Sequence, residues 1–419
     1  MSESTAFALA LPEAAADGFA PIRREARERF LSRGWPTRRN ESYKYTDLSA
    51  LERQDWPRAE KPDAQPELPS ALGARSVWVD GYLSGQPGDE RLVSLQDCAS
   101  SPPPALTALL GQLAPQDDPV VALNTTLFDH GAWIDLPTNT APGKALELVY
   151  TNAERDTPAA THARLAVQLG QGSRLVLIER HLGGDADTLS TRVAEISLAA
   201  GSQLLHIRLN EAGTGTRLLG HTTVRTGSGA RYQCLNLDLG AKLSREAFVV
   251  DLVEDHAETA LSGLALLDGK RHADADVRVV HDALHTRSRQ VFRGVLDGRS
   301  HSVYSGLVLV KPGAQKADSD QASANLLLSP KAEADTRPQL EIYADDVICN
   351  HGAATGAIDP DALFYLQSRG IDADAARRMI AYGFAAHILA DLEDERLHRE
   401  LLSVLADHMQ APQEVREWL

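Results

Sequence analysis

The sequence predicts an α+β, mainly-β chain whose core is a parallel β-helix flanked by helical N-terminal and C-terminal domains. Three observations carry this. From about Leu146 to Ile342 short runs alternate apolar and polar residues and close on Gly, Asp or Asn, among them HARLAVQLG, SRLVLIERHLG, VAEISLAAG, SQLLHIRLN, FVVDLVED and VYSGLVLV. Inside that region Gly172-Ser173-Arg174-Leu175, Gly201-Ser202-Gln203-Leu204 and Gly229-Ala230-Arg231-Tyr232 recur 29 and 28 residues apart, and His256-Ala257-Glu258-Thr259 falls 27 further on in the same phase. On both sides of the region the spacing of apolar residues changes to that of helices. A repeat of roughly 20–50 residues in an all-strand region points to a stacked solenoid. One coil cannot bury its inner face alone, whereas coils stacked about 4.8 Å apart pair their backbones and share one aliphatic core. A β-sandwich is the alternative that alternation leaves open.

The boundaries read this way are 1–140 for a helical N-terminal domain with a linker, 141–345 for the β-helix and 346–419 for a helical C-terminal domain. In the first, Ile22, Ala26 and Phe30 share a helix face, and Gly34 and Pro36 end that helix. NESYKYTDLSAL, from Asn40 to Leu51, is a second short element, and the prolines between Pro57 and Pro69 mark a linker. A short strand is expected at Val77 to Val79, and a proline-started helix within Ser100 to Ala114. In the last domain, Asp359 and Pro360 form a helix start and Gly370 a stop. Met379, Ile380, Phe384, Ile388 and Leu392 mark one apolar stripe, part of which is expected to close the end of the β-helix, and Leu397, Leu401 and Leu405 mark another.

Composition narrows the function. With 58 acidic and 42 basic residues the net charge is −16, which opposes nucleic-acid binding. The three cysteines, Cys98, Cys234 and Cys349, are odd in number and far apart, so they form neither a disulfide framework nor a Cys-x-x-Cys pair and fit a reducing compartment. The first residues, MSESTAFALALPEAAADGF, lack the basic start of a signal peptide, and no run approaches the length of a membrane span. A cytoplasmic protein with no membrane contact is expected. There is no phosphate-cradling Gly-x-x-x-x-Gly-Lys-Ser/Thr loop and no Gly-x-Ser-x-Gly elbow. His281 and His285 read as structural, and ADADV (from Ala273) and ADSDQ (from Ala317) as solvated turns.

The candidate site lies in PQLEIYADDVICNHGAATGAIDPDALFYLQSRG, from Pro338 to Gly370. Cys349 and His351 are two residues apart, so in an extended segment they face the same side. Thiolate and imidazole are both ligands for iron, zinc or copper, and thiolate holds iron–sulfur clusters. Two ligands do not close a site, so the remainder must come from elsewhere in the fold or from a second protein. A buried thiol beside a hydrogen-bonded histidine is the bland alternative. A stand-alone β-helix hydrolase or lyase is the enzyme alternative, although the carboxylate cluster it needs cannot be assembled from the sequence.

From His281 to about Ala385, over 100 residues, and again in NESYKYTDLSAL, the chain resembles the SufB/SufD family of iron–sulfur cluster assembly proteins. Within it the run HGAATG after the cysteine looks like the SufD branch, because SufB proteins carry a glutamate where Gly352 stands. The resemblance implies a right-handed parallel β-helix between helical domains and a scaffold without catalytic residues. It implies pairing with a SufB-like paralogue through the β-helix and binding of a SufC ATPase through the C-terminal helices. Sulfur would come from a cysteine desulfurase system, and a nascent cluster would form transiently at the SufB interface. His351 would serve there as ligand beside Cys349, which matches the neighbouring SufD cysteine, and the isolated chain would bind no cluster tightly. A homodimer without SufB, or a homodimeric SufB-like scaffold, stays open.

Overall fold

A computed structural model describes Leu11, residues 16–63 and residues 66–416. Most of the segment weighed above as a signal peptide thus lies outside the described residues. The strands alternate between two sheets, one strand to each sheet per coil. In the ten-stranded sheet the order is Ile348–Ala357, Asp318–Leu327, Arg287–Leu296, Glu258–Leu267, Arg231–Asp238, Gln203–Glu211, Arg174–Leu182, Leu146–Thr151, Ala74–Val79 and Tyr82–Ser84. The nine-stranded sheet runs Glu333–Ile342, His301–Val310, His272–His281, Leu243–Leu252, Thr216–Thr226, Thr188–Leu198, Ala159–Leu169, His130–Leu136 and Leu92–Ser94. Successive neighbours are parallel except for the final pair of each sheet, where Tyr82–Ser84 and Leu92–Ser94 turn antiparallel. Parallel neighbours one coil apart make a β-helix and rule out the sandwich.

The repeat in the sequence is the turn that starts each strand of the ten-stranded sheet. Gly172, Gly201 and Gly229 have φ of 66°, 66° and 61°, a left-handed conformation that glycine adopts without a Cβ clash. His256, His285 and Lys316 take the same place on later coils at φ of 62°, 57° and 64°. Each of these six donates its backbone N–H to the next coil, Gly201 to Ser228 at 2.8 Å and His285 to Gln315 at 3.1 Å for example. The rings of His256 and His285 stack with centroids 5.0 Å apart. His281 is buried and bonds Thr286 Oγ1 at 2.8 Å and Ser288 Oγ at 2.9 Å, so both histidines are structural as read.

Strands extend beyond the residue limits of 141 and 345 at both ends. The ladder takes in Ala74–Val79 and His130–Leu136, and it ends only at Ala357, so Cys349 and His351 belong to its last strand. The helix Pro360–Ser368 follows, with Asp359 accepting from the Asp361 N–H at 2.9 Å and Gly370 at φ 88° beyond it.

The helical segments lie on the flanks. Near the N-terminus, Ala20–Arg33 and Pro119–Leu127 pack on the outer face of the nine-stranded sheet, where Trp56, Tyr43 and Leu123 meet Ala160, Leu189 and Leu219. The segment NESYKYTDL crosses that face: Arg245 donates to the Ser42 carbonyl at 2.7 Å, and the Thr46 hydroxyl donates to Asp274. This corrects the reading of ADADV as a solvated turn. It lies in the strand His272–His281 with Asp274 buried. ADSDQ begins a strand too, although Asp318 and Asp320 are exposed as expected. At the other end, Ala373–Ala386 and Glu395–His408 cover the outer face of the ten-stranded sheet, with Leu397, Leu401 and Leu405 fully buried over Ile207, Leu235 and Leu264. The expected closure of the coil's end by the Met379 stripe is therefore wrong. Those residues sit on its side, where the Arg293 guanidinium lies 4.7 Å from the Phe384 ring centroid and donates to the Phe384 carbonyl at 3.1 Å. The outward-facing aliphatics of six strands needed a cover more than the narrow end did.

Candidate functional site

Because the coils stack in register, each inward position forms a column through the molecule. One column reads Leu146, Leu177, His206, Cys234, Leu261, Gln290, Gln321 and His351. The next reads Leu175, Leu204, Tyr232, Thr259, Ser288, Ser319 and Cys349. Every member before the last strand is buried. Cys349 is half-buried and packs against the inner core, while His351 is exposed. Both side chains thus occupy interior positions, on one face as their spacing predicts, and His351 is wet because the ladder stops there. Burial raises the Cys349 thiol pKa, and the Asp318 carboxylate raises it further.

Large apolar side chains are exposed on the last coil and on the helix that follows it. Ile348 is 64%, Phe364 70% and Tyr343 61% exposed. The strands Glu333–Ile342 and Ile348–Ala357 each have a neighbour on one side only, which leaves a row of backbone donors and acceptors free. Directly below His351 in its column, the buried Gln321 amide has no protein partner among the described residues. Gln290, one coil further in, accepts from the Tyr304 hydroxyl at 2.9 Å. Asp346, three residues before Cys349, pairs with Lys316 across the turn.

Sequence reading missed the chemistry of the earlier interior. Glu179, Arg192, His206, Arg208 and Glu246 are buried inside the coil. Arg192 Nε donates to Glu179 Oε2 at 2.6 Å and Arg192 Nη1 to Glu246 at 3.0 Å. Arg208 pairs with Glu246 at 2.8 Å, and His206 bridges Glu179 at 2.6 Å and the Tyr232 hydroxyl at 3.0 Å. Burial works against ionised Glu179, but Arg192, then His206 and Arg208, hold its carboxyl well below the usual range. The signal was present in SRLVLIERHLG and SQLLHIRLN, where charged residues stand mid-strand at the inward phase. Cys234, in the same interior, has its thiol pushed up to about 12 by burial.

Comparison with known proteins agrees with this architecture. Residues 149–384 match the family model described as SUF system FeS cluster assembly, SufBD core domain, and residues 7–66 match the SufBD protein N-terminal region. The chain belongs to the SufB/SufD family. It is 29% identical over 378 residues to an iron–sulfur cluster assembly SufBD family protein of Synechocystis, covering 84% of this chain and 83% of that one. It is 28% identical over 403 residues to the iron–sulfur cluster assembly protein SufD of Escherichia coli, covering 93% of each. To the SufD of Bacillus subtilis it is 24% identical over 293 residues, 68% of this chain and 66% of that one. The two family-model matches take in the N-terminal segment and the coil from residue 149 onward, so the resemblance seen from His281 and in NESYKYTDLSAL extends over most of the chain. Family membership makes the chain a scaffold of iron–sulfur cluster assembly. Among the described residues no helix is long and apolar enough to cross a membrane.

Proposed function

We propose that this chain is the SufD-type subunit of a SufB–SufC–SufD scaffold and that its open last coil is completed by a SufB-like paralogue. One observation carries the reading: His351 stands exposed at the end of a column whose other members are all buried. A paralogous β-helix is the natural cover, since it presents edge strands of the same spacing and can bury Ile348, Tyr343 and Phe364. The nascent cluster is the cargo of that interface. His351 and Cys349 supply two of its ligands, the partner supplies the rest, and sulfur arrives from a cysteine desulfurase system. ATP hydrolysis belongs to a SufC ATPase bound at the C-terminal helices, and the chain itself acts as a non-catalytic scaffold.

The test is cluster formation on the complex reconstituted with the co-encoded SufB-like protein and ATPase. His351→Ala is expected to leave the complex assembled and to cut bound iron and sulfide several-fold, with a smaller loss for Cys349→Ala. Equal iron and sulfide in wild type and His351→Ala would overturn the assignment. The isolated chain is expected to hold only substoichiometric, easily chelated iron, because two ligands leave a four-ligand site half empty. Deleting the C-terminal helices is a poor test of SufC binding, since it uncovers Ile207, Leu235 and Leu264. Reversal of the exposed charges at Arg378 and Arg399 keeps that core covered, and undiminished ATPase capture by this variant would place the contact elsewhere.

A further inference from the structure

A second group of ligand-bearing side chains lies on the outer face of the nine-stranded sheet, on its last two strands. His272, His301 and Glu333 stand at the same register position of three successive strands. Asp335, two residues past Glu333, shares their face. His301 Nε2 is 2.8 Å from Asp335 Oδ2, and the ligand atoms of His301, Glu333 and Asp335 all lie within 4.8 Å of one another. The His301 ring is held edge-on against His272, with centroids 4.7 Å apart at 73°. His272 is fixed in turn: its Nε2 is 3.0 Å from Thr46 Oγ1, whose own proton goes to Asp274. Thr46 therefore accepts from His272, and the pair forms a rigid wall behind His301. The His301 and Asp335 side chains are 24% and 33% exposed, and Glu333 is exposed, so the group opens to water.

We propose that His301, Glu333 and Asp335 bind one divalent first-row transition ion of the zinc, manganese or ferrous class. Bonds of about 2.0–2.2 Å from one ion to imidazole nitrogen and carboxylate oxygen place neighbouring ligand atoms roughly 3 Å apart, as His301 and Asp335 already are. The imidazole disfavours calcium and magnesium, which take all-oxygen shells. Two carboxylates balance the charge of the ion, and three protein ligands leave positions for water. Arg337, next on the same face, does not neutralise these carboxylates, because its guanidinium pairs with Glu41. Binding replaces the hydrogen bond between His301 and Asp335 with a bond from each to the ion. This site is on the outside of the coil and independent of the inward-facing Cys349 and His351.

The experiment uses the full chain carrying Cys349→Ala and His351→Ala, stripped with chelator and titrated with zinc in competition with a chromophoric chelator. One equivalent of zinc is expected to bind at pH 7.5 and not to be displaced by millimolar calcium. Asp335→Asn and Glu333→Gln keep side-chain shape and are expected to weaken that equivalent at least tenfold, and His301→Ala to remove it. Melting curves identify any variant that fails to fold, and the two near-isosteric changes then decide alone. Zinc affinity and stoichiometry unchanged in Asp335→Asn and Glu333→Gln, or no zinc bound by the parent, would overturn the site.

Discussion

The two ends of the coil are built from the same ladder and finished differently. At the first end, Tyr82–Ser84 and Leu92–Ser94 reverse direction and cap the sheets. Trp78 is fully buried there, stacked at 5.4 Å on Tyr150, which stacks at 5.2 Å on His181. At the far end no further strand among the described residues follows Ile348–Ala357, and side chains at interior positions face water. Position within the repeat is therefore not enough to tell a core residue from a site residue. What decides is whether another coil follows, and in the proposed function the uncovered end is where a partner supplies the missing layer.

Substitution should separate the ends most strongly. Arg192→Ala removes the main partner of a fully buried carboxylate and leaves Glu179 with His206 and the more distant Arg208 alone, a loss of about 3–5 kcal/mol. His351→Ala at the open end should change stability by less than about 0.5 kcal/mol. Urea unfolding of both variants measures the contrast, and equal losses would mean that His351 is part of the folded core.

Acid should come next in size and act through imidazoles buried along the coil. Burial holds His162 at about 4, His181 at about 3 and His221 at about 4. Folded values below the ordinary 6.5 mean that the unfolded chain binds more protons, so stability is complete above pH 6.5 and is lost as pH falls toward 4. Asp238, raised to about 6 by burial, works in the opposite direction, as do the raised Asp135, Asp251, Asp274 and Asp276, while the lowered carboxyls of Glu179 and Glu195 act with the imidazoles. A melting temperature that declines from pH 7 to pH 5 is expected, and a flat profile would show that these imidazoles are hydrated.

A smaller effect should appear in thiol chemistry. Cys234 is buried and should resist iodoacetamide in the native chain, whereas the half-buried Cys349 should react slowly. Peptide mapping by mass spectrometry distinguishes both from Cys98. The smallest effect belongs to the turns. Gly229→Ala places a Cβ at φ 61° and should cost about 1 kcal/mol, while Lys316→Gly at φ 64° should change stability by less. Chemical denaturation resolves the two.

Much of this was legible in residue order. The recurrence of Gly172, Gly201 and Gly229 exposed the coil because a left-handed turn selects glycine, and the Cys349–His351 spacing placed both on one face of the last strand. The buried charges escaped because Glu179, Arg192 and His206 become partners only when strands 13 to 27 residues apart are stacked. The docking of the C-terminal helices escaped for a related reason. An amphipathic stripe such as Leu397, Leu401 and Leu405 shows that a helix has a buried face, and says nothing of which sheet it covers. His301, Glu333 and Asp335 converge only through parallel register, so their spacing in the sequence carried no signal.

Hydrogen exchange of the last strand tests the central claim most directly. In the isolated chain the Ile348–Ala357 amides that face away from Asp318–Leu327 should exchange fast, while those of Gln203–Glu211 stay protected. Adding the SufB-like paralogue should slow exchange in Ile348–Ala357 by at least tenfold and leave Gln203–Glu211 unchanged. A complex that forms while exchange in Ile348–Ala357 stays fast would contradict the account, because the partner would then cover some other surface.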